Sequence, residues 1–288
     1  MQLIDTHTHL YLPEFDTDRD EVVNRAVCSG VSKMLLPNID INSVDQMLAA
    51  VLRYPDTCFP MIGLHPTSVK EDYSSQLEKL EEIFTKQFFV AIGEIGIDLY
   101  WDKTYLKEQL ISFRRQVAFS LDKRLPVVIH SREAFPEVFS VLDEFKGKPL
   151  KGVFHAFSGT IKDAERALDL GFKLGIGGIV TFRNSGLDKI VSEIGPGNII
   201  LETDSPYLSE DALVADVSDA LGKIAQQFDL QLALRSEVGM SALAGEDVMP
   251  ASIPEQSGFT QSCTRSYDRL IAGDRSTADV QRNQILRG

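Results

Sequence analysis

The chain has five histidines, and two of them, His7 and His9, form an H-x-H within Ile4-Asp5-Thr6-His7-Thr8-His9. Alternate side chains of an extended segment share a face. Both imidazoles therefore point the same way, with Thr8 turned aside. Such a pair suits a transition metal such as zinc. Taken alone, it is equally consistent with two histidines on the surface. The other three shift that balance. His65 follows Met61-Ile62-Gly63-Leu64, His130 ends Pro126-Val127-Val128-Ile129-His130, and His155 ends Gly152-Val153-Phe154-His155. Each closes a short apolar run, the pattern of a buried strand. Glu94 follows Phe89-Val90-Ala91-Ile92-Gly93, and Asp204 comes just after Asn198-Ile199-Ile200-Leu201. One histidine on an apolar face is more often a core residue than a ligand. Five histidines and two carboxylates at strand exits are hard to explain that way.

The elements that would position these groups alternate along the chain. Strand patterns are expected over residues 2–6, 33–37, 57–62, 89–93, 126–130, 152–155, 172–176 and 199–202. Amphipathic helical patterns fall between them, over 18–29, 43–53, 75–85, 105–123, 135–145, 161–170 and 185–194. In the segment 105–123, Leu106, Leu110, Phe113, Val117 and Leu121 recur at spacings of three and four and form one helix face. Strands alternating with helices imply parallel pairing through right-handed crossovers. Eight such units predict a (β/α)8 TIM barrel, with a doubly wound open sheet as the alternative. A barrel builds its sites at the C-terminal ends of its strands. It would therefore gather His7, His9, Glu94, His130, His155 and Asp204 on one rim.

Composition bounds the function. The formal net charge is −13, and no Lys/Arg-rich run occurs. A protein that grips long duplex DNA by neutralising phosphates is usually basic, at least locally. A phosphodiester substrate would have to be engaged over a short range, at a chain end, with the positive charge coming mostly from metal. No apolar run reaches transmembrane length. No signal-like segment precedes the first strand. The three cysteines, Cys28, Cys58 and Cys263, show no paired spacing, which fits packing roles in a reducing cytoplasm. The expectation is a cytoplasmic protein with no membrane association, and no stable protein partner is inferred.

Six segments together resemble the TatD family, metal-dependent hydrolases and deoxyribonucleases related to the amidohydrolase barrels. They are Asp5-Thr6-His7-Thr8-His9, Gly63-Leu64-His65-Pro66, Ala91-Ile92-Gly93-Glu94-Ile95-Gly96-Ile97-Asp98, Val128-Ile129-His130-Ser131-Arg132, Phe154-His155-Ala156-Phe157-Ser158-Gly159 and Leu201-Glu202-Thr203-Asp204-Ser205-Pro206-Tyr207-Leu208. The match covers residues 1 to about 208 in order. The resemblance implies a site holding two divalent ions, zinc, magnesium or manganese. His7 and His9 would bind one ion, completed by Asp204. Glu94 would bridge the two, and His130 and His155 would bind the second. Asp204 and Glu94 are the expected catalytic carboxylates, Asp204 as the base that takes a proton from the attacking water. Amidohydrolases that bridge their metals with a modified lysine would need Lys at the Glu94 position, so Glu favours the nuclease-type branch.

Other positions leave alternatives open. Glu202 shares the strand face of Asp204 and is read either as orienting a ligand or the base, or as an ion pair inside the barrel. His65 and Arg132 are candidate phosphate contacts, and Arg132 suits a structural salt bridge equally well. Gly175-Ile176-Gly177-Gly178 reads as a loose phosphate loop or as a tight turn.

After Leu208 the chain leaves the family pattern, without the basic, Asn-containing loop that normally follows. A helix is expected over 211–232, and periodicity fades beyond it. The division expected is a barrel over 1–232 and an atypical, disordered tail over 233–288. A frame-altered reading of the closing helices and a lineage-specific extension are the alternatives. The reading that follows is a metal-dependent hydrolase cleaving DNA phosphodiesters at single strands or exposed 3′ ends. A hydrolase of another ester or amide, such as an aminoacyl-nucleotide or a small metabolite, and a non-catalytic metal-binding protein remain the rivals.

Overall fold

The computed structural model describes residues 3–182 and 184–207. Eight strands appear: β1 (Leu3–Asp5), β2 (Val31–Pro37), β3 (Cys58–Ile62), β4 (Ala91–Asp98), β5 (Val127–Arg132), β6 (Gly152–Phe154), β7 (Phe172–Ile176) and β8 (Ile199–Leu201). Between successive strands lie α1 (Arg19–Cys28), α2 (Val44–Arg53), α3 (Tyr73–Phe84), α4 (Leu106–Lys123), α5 (Phe135–Asp143), α6 (Ile161–Asp169) and α7 (Leu187–Ile194). The strands pair in parallel and in sequence order, which excludes the doubly wound alternative. The seam between β8 and β1 is joined just beyond the strands. Thr6 N donates to Leu201 O (3.1 Å), Asp204 N to His7 O (2.9 Å) and His9 N to Ser205 O (2.8 Å). The buried Asp5 carboxylate reinforces it, accepting from the Thr203 hydroxyl (2.7 Å) and amide (3.1 Å) and from His7 N (3.2 Å). The result is a nearly closed (β/α)8 barrel, as the alternating elements predict.

Two apolar clusters separate the strand faces. Leu35, Met61, Ala91, Val128, Val153 and Ile200 fill the barrel interior. Met34, Cys58, Ile92, Ile129, Phe154 and Leu201 point outward and pack with the helices. The alternation explains where the polar groups go. His130, His155 and Glu202 each lie two residues beyond an interior residue and so face inward at the mouth.

β4 differs from the expectation. It was expected to stop at Gly93, but it runs to Asp98, so Glu94 stands inside the strand rather than at its exit. The register with β5 shifts between Ile92 and Ile95, and both of these isoleucines face the helices. That slip of one residue rephases the strand and turns Glu94, Gly96 and Asp98 inward. The glycines that read as breakers are instead what permits close approach. A Cβ on Gly93 would lie 2.6 Å from Val128 Cβ, and one on Gly96 (φ +144°) would lie 2.0 Å from His130 O. β5 likewise continues past His130 to Arg132. β1 ends at Asp5, so the H-x-H lies beyond it, in a stretch held extended by a bridge between Thr8 and Ser205.

The helix α4 buries a more polar face than its leucines suggest. Gln109, Ser112, Phe113, Gln116, Val117 and Ser120 are buried, while Leu106, Leu110 and Leu121 are only partly so. The reason is hydrogen bonding to the strand ends. Gln109 accepts from Asp98 N and donates to Asp98 O, and Gln116 does the same for Leu64. Cys58 packs in the core as expected, but Cys28 is exposed at the end of α1 and is no packing residue. Among the described residues no helix is long and apolar enough to cross a membrane. The helix expected over 211–232, the tail over 233–288 and Cys263 lie outside the described residues.

Gly96 gives the test of this geometry. An Ala there must adopt φ near +144° while its methyl meets the His130 carbonyl. Gly96→Ala is expected to lower stability by at least ~1–3 kcal/mol, the usual cost of a strained backbone position. Urea unfolding measures it. An unchanged midpoint would show that β4 does not approach β5 in this way.

Candidate metal centre

The six residues expected to bind metal converge at the C-terminal mouth of the barrel, and His65 joins them. Glu94 is the hub, and it is almost fully buried. Its Oε2 lies 3.1 Å from His7 Nε2 and 4.0 Å from His9 Nε2. Its Oε1 lies 2.8 Å from His130 Nδ1, 3.4 Å from His65 Nε2 and 3.8 Å from His155 Nε2. One carboxylate thus presents its two oxygens to two different sets of imidazoles, as a bridging ligand must. Asp204 Oδ1 faces His9 Nε2 and His155 Nε2 at 3.5 Å and His7 Nε2 at 3.7 Å. His155 stands between the sets, with its ring stacked on His7 at 3.4 Å between centroids.

Among the described residues, three combinations bring one ligand atom from each residue within 4.8 Å of the others: His7–His155–Asp204, His7–His9–Glu94 and His65–Glu94–His130. Spacing alone does not make a metal site, so the protons matter. Three imidazoles carry an outer partner that fixes the proton on the nitrogen away from the cluster. Tyr11 donates its hydroxyl proton to Pro37 O (2.6 Å), so its oxygen accepts from His9 Nδ1 (3.0 Å). That leaves the His9 Nε2 lone pair facing inward. Asp98 Oδ2 holds His130 Nε2 at 2.8 Å, leaving Nδ1 toward Glu94. Glu202 Oε1 lies 3.1 Å from His155 Nδ1, off the line of a good hydrogen bond but close enough to favour a proton there. His7 has both ring nitrogens buried and, among the described residues, without a hydrogen-bond partner. Such an orphan costs about 1–3 kcal/mol, and a cation at Nε2 would satisfy one of the two. The donor set fits a divalent transition metal, with nitrogen and carboxylate oxygen in reach of shared centres.

His65 is different. The Thr67 amide donates to its Nδ1 (3.2 Å), which puts the single proton of the neutral ring on Nε2. His65 therefore offers Glu94 and His130 a donor rather than a lone pair.

The electrostatics are those of carboxylates surrounded by imidazoles. Burial would raise the Glu94 pKa, but the surrounding imidazoles of His65, His155 and His7 reverse this and hold it well below the usual carboxylate range. Asp204 behaves likewise, with His155 and His9 outweighing its burial. Burial and the neighbouring His155 lower the pKa of His7 and keep it neutral. Burial disfavours charge on His130 too, yet the bonds to Asp98 and Glu94 push its pKa up to about 9. Without a cation, protons sit where a cation would. Asp204 itself adopts φ 56°, a left-handed conformation that costs an L-residue about 1–2 kcal/mol. The hydrogen bond from its backbone N–H to His7 O helps hold it there and aims the carboxylate at the cluster.

Two expected assignments take a definite form. Glu202 is buried against His155, and it explains Gly175. A Cβ there would lie 2.3 Å from Glu202 Oε2, so that glycine makes room for a carboxylate rather than for a phosphate. Arg132 stays outside the cluster, exposed, with its guanidinium over the Tyr100 ring at 4.0 Å. The described residues show no salt bridge from it. Asp98 and Tyr11 had no assigned role in the sequence reading. Asp98 had a signal: it lies four residues after Glu94 in one strand and hence shares its face. Tyr11 had the same relation to His9, two residues along.

Comparison with known proteins agrees with this geometry. A family model described as TatD related DNase matches residues 4–233, past the Leu208 at which the quoted motifs end. The uncharacterised metal-dependent hydrolase YabD of Bacillus subtilis is 33% identical over 208 residues, covering 72% of this chain and 81% of that one. The 3′-5′ ssDNA/RNA exonuclease TatD of Pectobacterium parmentieri is 30% identical over 208 residues, covering 72% and 80%. The crystal structure of the Escherichia coli TatD homolog YJJV superposes with a TM-score of 0.71 at 27% identity, covering 78% of this chain and 90% of that one. An Entamoeba histolytica TatD family hydrolase shares the fold, with a TM-score of 0.69 at 20% identity, covering 94% and 98%. A barrel whose mouth gathers five imidazoles around a buried carboxylate, matched across most of its length by these proteins, belongs to the TatD family of metal-dependent hydrolases.

Proposed function

We propose that the chain is a deoxyribonuclease that hydrolyses phosphodiester bonds at single-stranded or exposed 3′ ends. The observation that carries this reading is Glu94, one carboxylate with its two oxygens set toward two groups of imidazoles. Relatives named as single-strand exonucleases support the substrate class. The catalytic unit is taken as residues 1–232.

His7, His9 and Asp204 would hold one divalent ion, His130 and His155 a second, with Glu94 between them. When bound, such ions supply an activated water and neutralise charge developing on the phosphate. The residues of the chain do the rest. Asp204, kept ionised and less buried than Glu94, stands ready to take the proton of the attacking water at a carboxylate oxygen. Asp98, Glu202 and Tyr11 keep three imidazoles in the tautomer that faces inward. His65, protonated at Nε2, offers a hydrogen bond to a phosphate oxygen. Arg132 stands at the rim with its charge available to the strand.

Hydrolysis of another ester or amide would use the same residues, so substrate panels with and without divalent metal decide between them. Cleavage of end-labelled single-stranded DNA supports the nuclease reading. Turnover confined to esters or amides supports the second, and bound metal without turnover supports a binding protein.

Two substitutions separate binding from chemistry. Glu94→Gln keeps the shape but removes the charge between the ions. It is expected to lower metal content, read by elemental analysis, with activity falling in consequence. A variant that keeps its full metal content would remove Glu94 from the bridging position. Asp204→Asn keeps an oxygen able to coordinate but cannot accept the proton. It is expected to retain metal while the cleavage rate falls by on the order of 10²–10⁴-fold. Near-parent cleavage with metal bound would show that Asp204 is not the base.

A further inference from the structure

Exposed rings are distributed unevenly on this molecule. Among the described residues, the large apolar side chains left exposed on helices are aliphatic: Val27 on α1, Leu52 on α2 and Ile111 on α4. The exposed aromatic ones are Tyr100 (50%), Trp101 (68%), Phe182 (58%) and Tyr207 (56%). All four lie on segments that follow strands at the C-terminal mouth, after β4, β7 and β8. Leaving a Trp or Tyr ring in water forgoes a large burial, so such a cluster beside a site calls for a ligand.

Tyr100 and Trp101 are also held in place. Asp98 Oδ1 accepts both of their amides, at 3.0 and 3.1 Å, while Asp98 Oδ2 holds His130 Nε2 at 2.8 Å. Leu99 N donates to Arg132 O at 3.0 Å and fixes the loop to the end of β5. The two rings meet edge to face at 4.9 Å, and the Arg132 guanidinium lies 4.0 Å from the Tyr100 centroid and 5.3 Å from that of Trp101. Arg114, Arg115 and Arg166 on the helices are each neutralised by a carboxylate, whereas the described residues show no carboxylate paired with Arg132. One buried aspartate therefore joins a proposed metal ligand to a rigid platform of two exposed rings and a cation.

We infer that Tyr100, Trp101 and Arg132 form a stacking platform for an unpaired nucleobase of a single-stranded nucleic acid whose phosphate lies at the metal centre. The inference rests on the nuclease reading for the identity of its ligand. Aromatic faces beside an arginine are how proteins hold single strands without reading sequence. A base inside a duplex has both faces covered and cannot use such a surface, so the platform would select frayed or single-stranded ends. It also answers the charge problem. A chain of net charge −13 cannot hold a strand chiefly by neutralising phosphates. Stacking supplies affinity without adding positive charge.

Trp101 is the only tryptophan in the chain, so its fluorescence reports on this platform alone. The full-length, metal-loaded protein would be titrated with a slowly cleaved phosphorothioate single strand, an abasic strand of the same length and a blunt duplex. The expected result is quenching by the base-bearing single strand and little by the other two. In steady state, Trp101→Ala is expected to raise KM for a single-stranded oligonucleotide by on the order of tenfold, the size of one lost base–aromatic stack, with a smaller change in kcat. Trp101→Phe should restore most of it. Equal quenching by the abasic strand, no quenching by any strand, or an unchanged KM in Trp101→Ala would each overturn the platform. The arms also separate the two readings. Cleavage without base-dependent quenching removes the platform and keeps the nuclease. Base-dependent quenching without cleavage keeps the platform and removes the nuclease.

Discussion

A carboxylate buried among five imidazoles is the constraint on which this molecule depends. Glu94 is cut off from water, and an isolated charge so placed would be driven to neutralise itself. It stays ionised because imidazoles surround it, of which His130 and His155 hold protons firmly, and because the cluster is built to take cations. The barrel provides that surround from four separate strand ends, which no local segment of chain could do. Parallel strands all exit at the same mouth, so residues far apart in sequence meet without any special loop. The family's metal dependence follows from the same arrangement. The inward-facing lone pair of His9 and the buried Nε2 of His7 are both placed to be met by a cation.

Holding the cluster costs the fold in two places, and each cost is met by a particular residue. Glu94 faces inward only because β4 slips its register, and the slip is tolerated because Gly93 and Gly96 let β4 lie against Val128 and the His130 backbone. The outer carboxylates, Asp98 and Glu202, would be liabilities if unpaired. Asp98 is tied to the Tyr100 and Trp101 amides, and Glu202 fits the space left by Gly175 and accepts the Ala156 amide. Gln109 and Gln116 of α4 then hold the backbone of Asp98 and Leu64, so a helix on the outside of the barrel steadies groups at its mouth. The polar face of α4 is thus explained by the site rather than by the core.

What was legible in the sequence follows from periodicity. Apolar runs ending in His65, His130 and His155 announced the strands, and their alternation with amphipathic helices announced the barrel. The members of the cluster were legible because histidines and carboxylates recur where apolar runs end. The extent of β4 was not, because a glycine reads as a breaker until the neighbour it accommodates is known. Gly96 faces His130 O across a strand separated from it by a whole helix. Asp98 escaped notice for a related reason. Its meaning lies in His130, thirty-two residues away, and no local pattern carries that pairing. The apolar face read for α4 was incomplete, because hydrogen bonds from glutamine to strand ends are invisible to a hydrophobicity pattern. Arg132 could be placed at the mouth from its motif, but its seat over Tyr100 depends on the turn that Asp98 fixes.

On the nuclease reading, the acidic charge acts on the length of nucleic acid engaged rather than on the chemistry. At physiological salt the Debye length is about 8 Å, so the surface carboxylates of the helices scarcely act on a phosphate held at the mouth. A duplex laid across the molecule would bring many phosphates within that distance of acidic surface, with no basic run to offset them. A chain end brings only a few. Those few meet the cation-binding cluster, the Nε2 proton of His65 and the guanidinium of Arg132, all within one face of the barrel. On this reading the mouth is where a polyanion is best received among the described residues, and an end reaches it with the fewest phosphates over acidic surface.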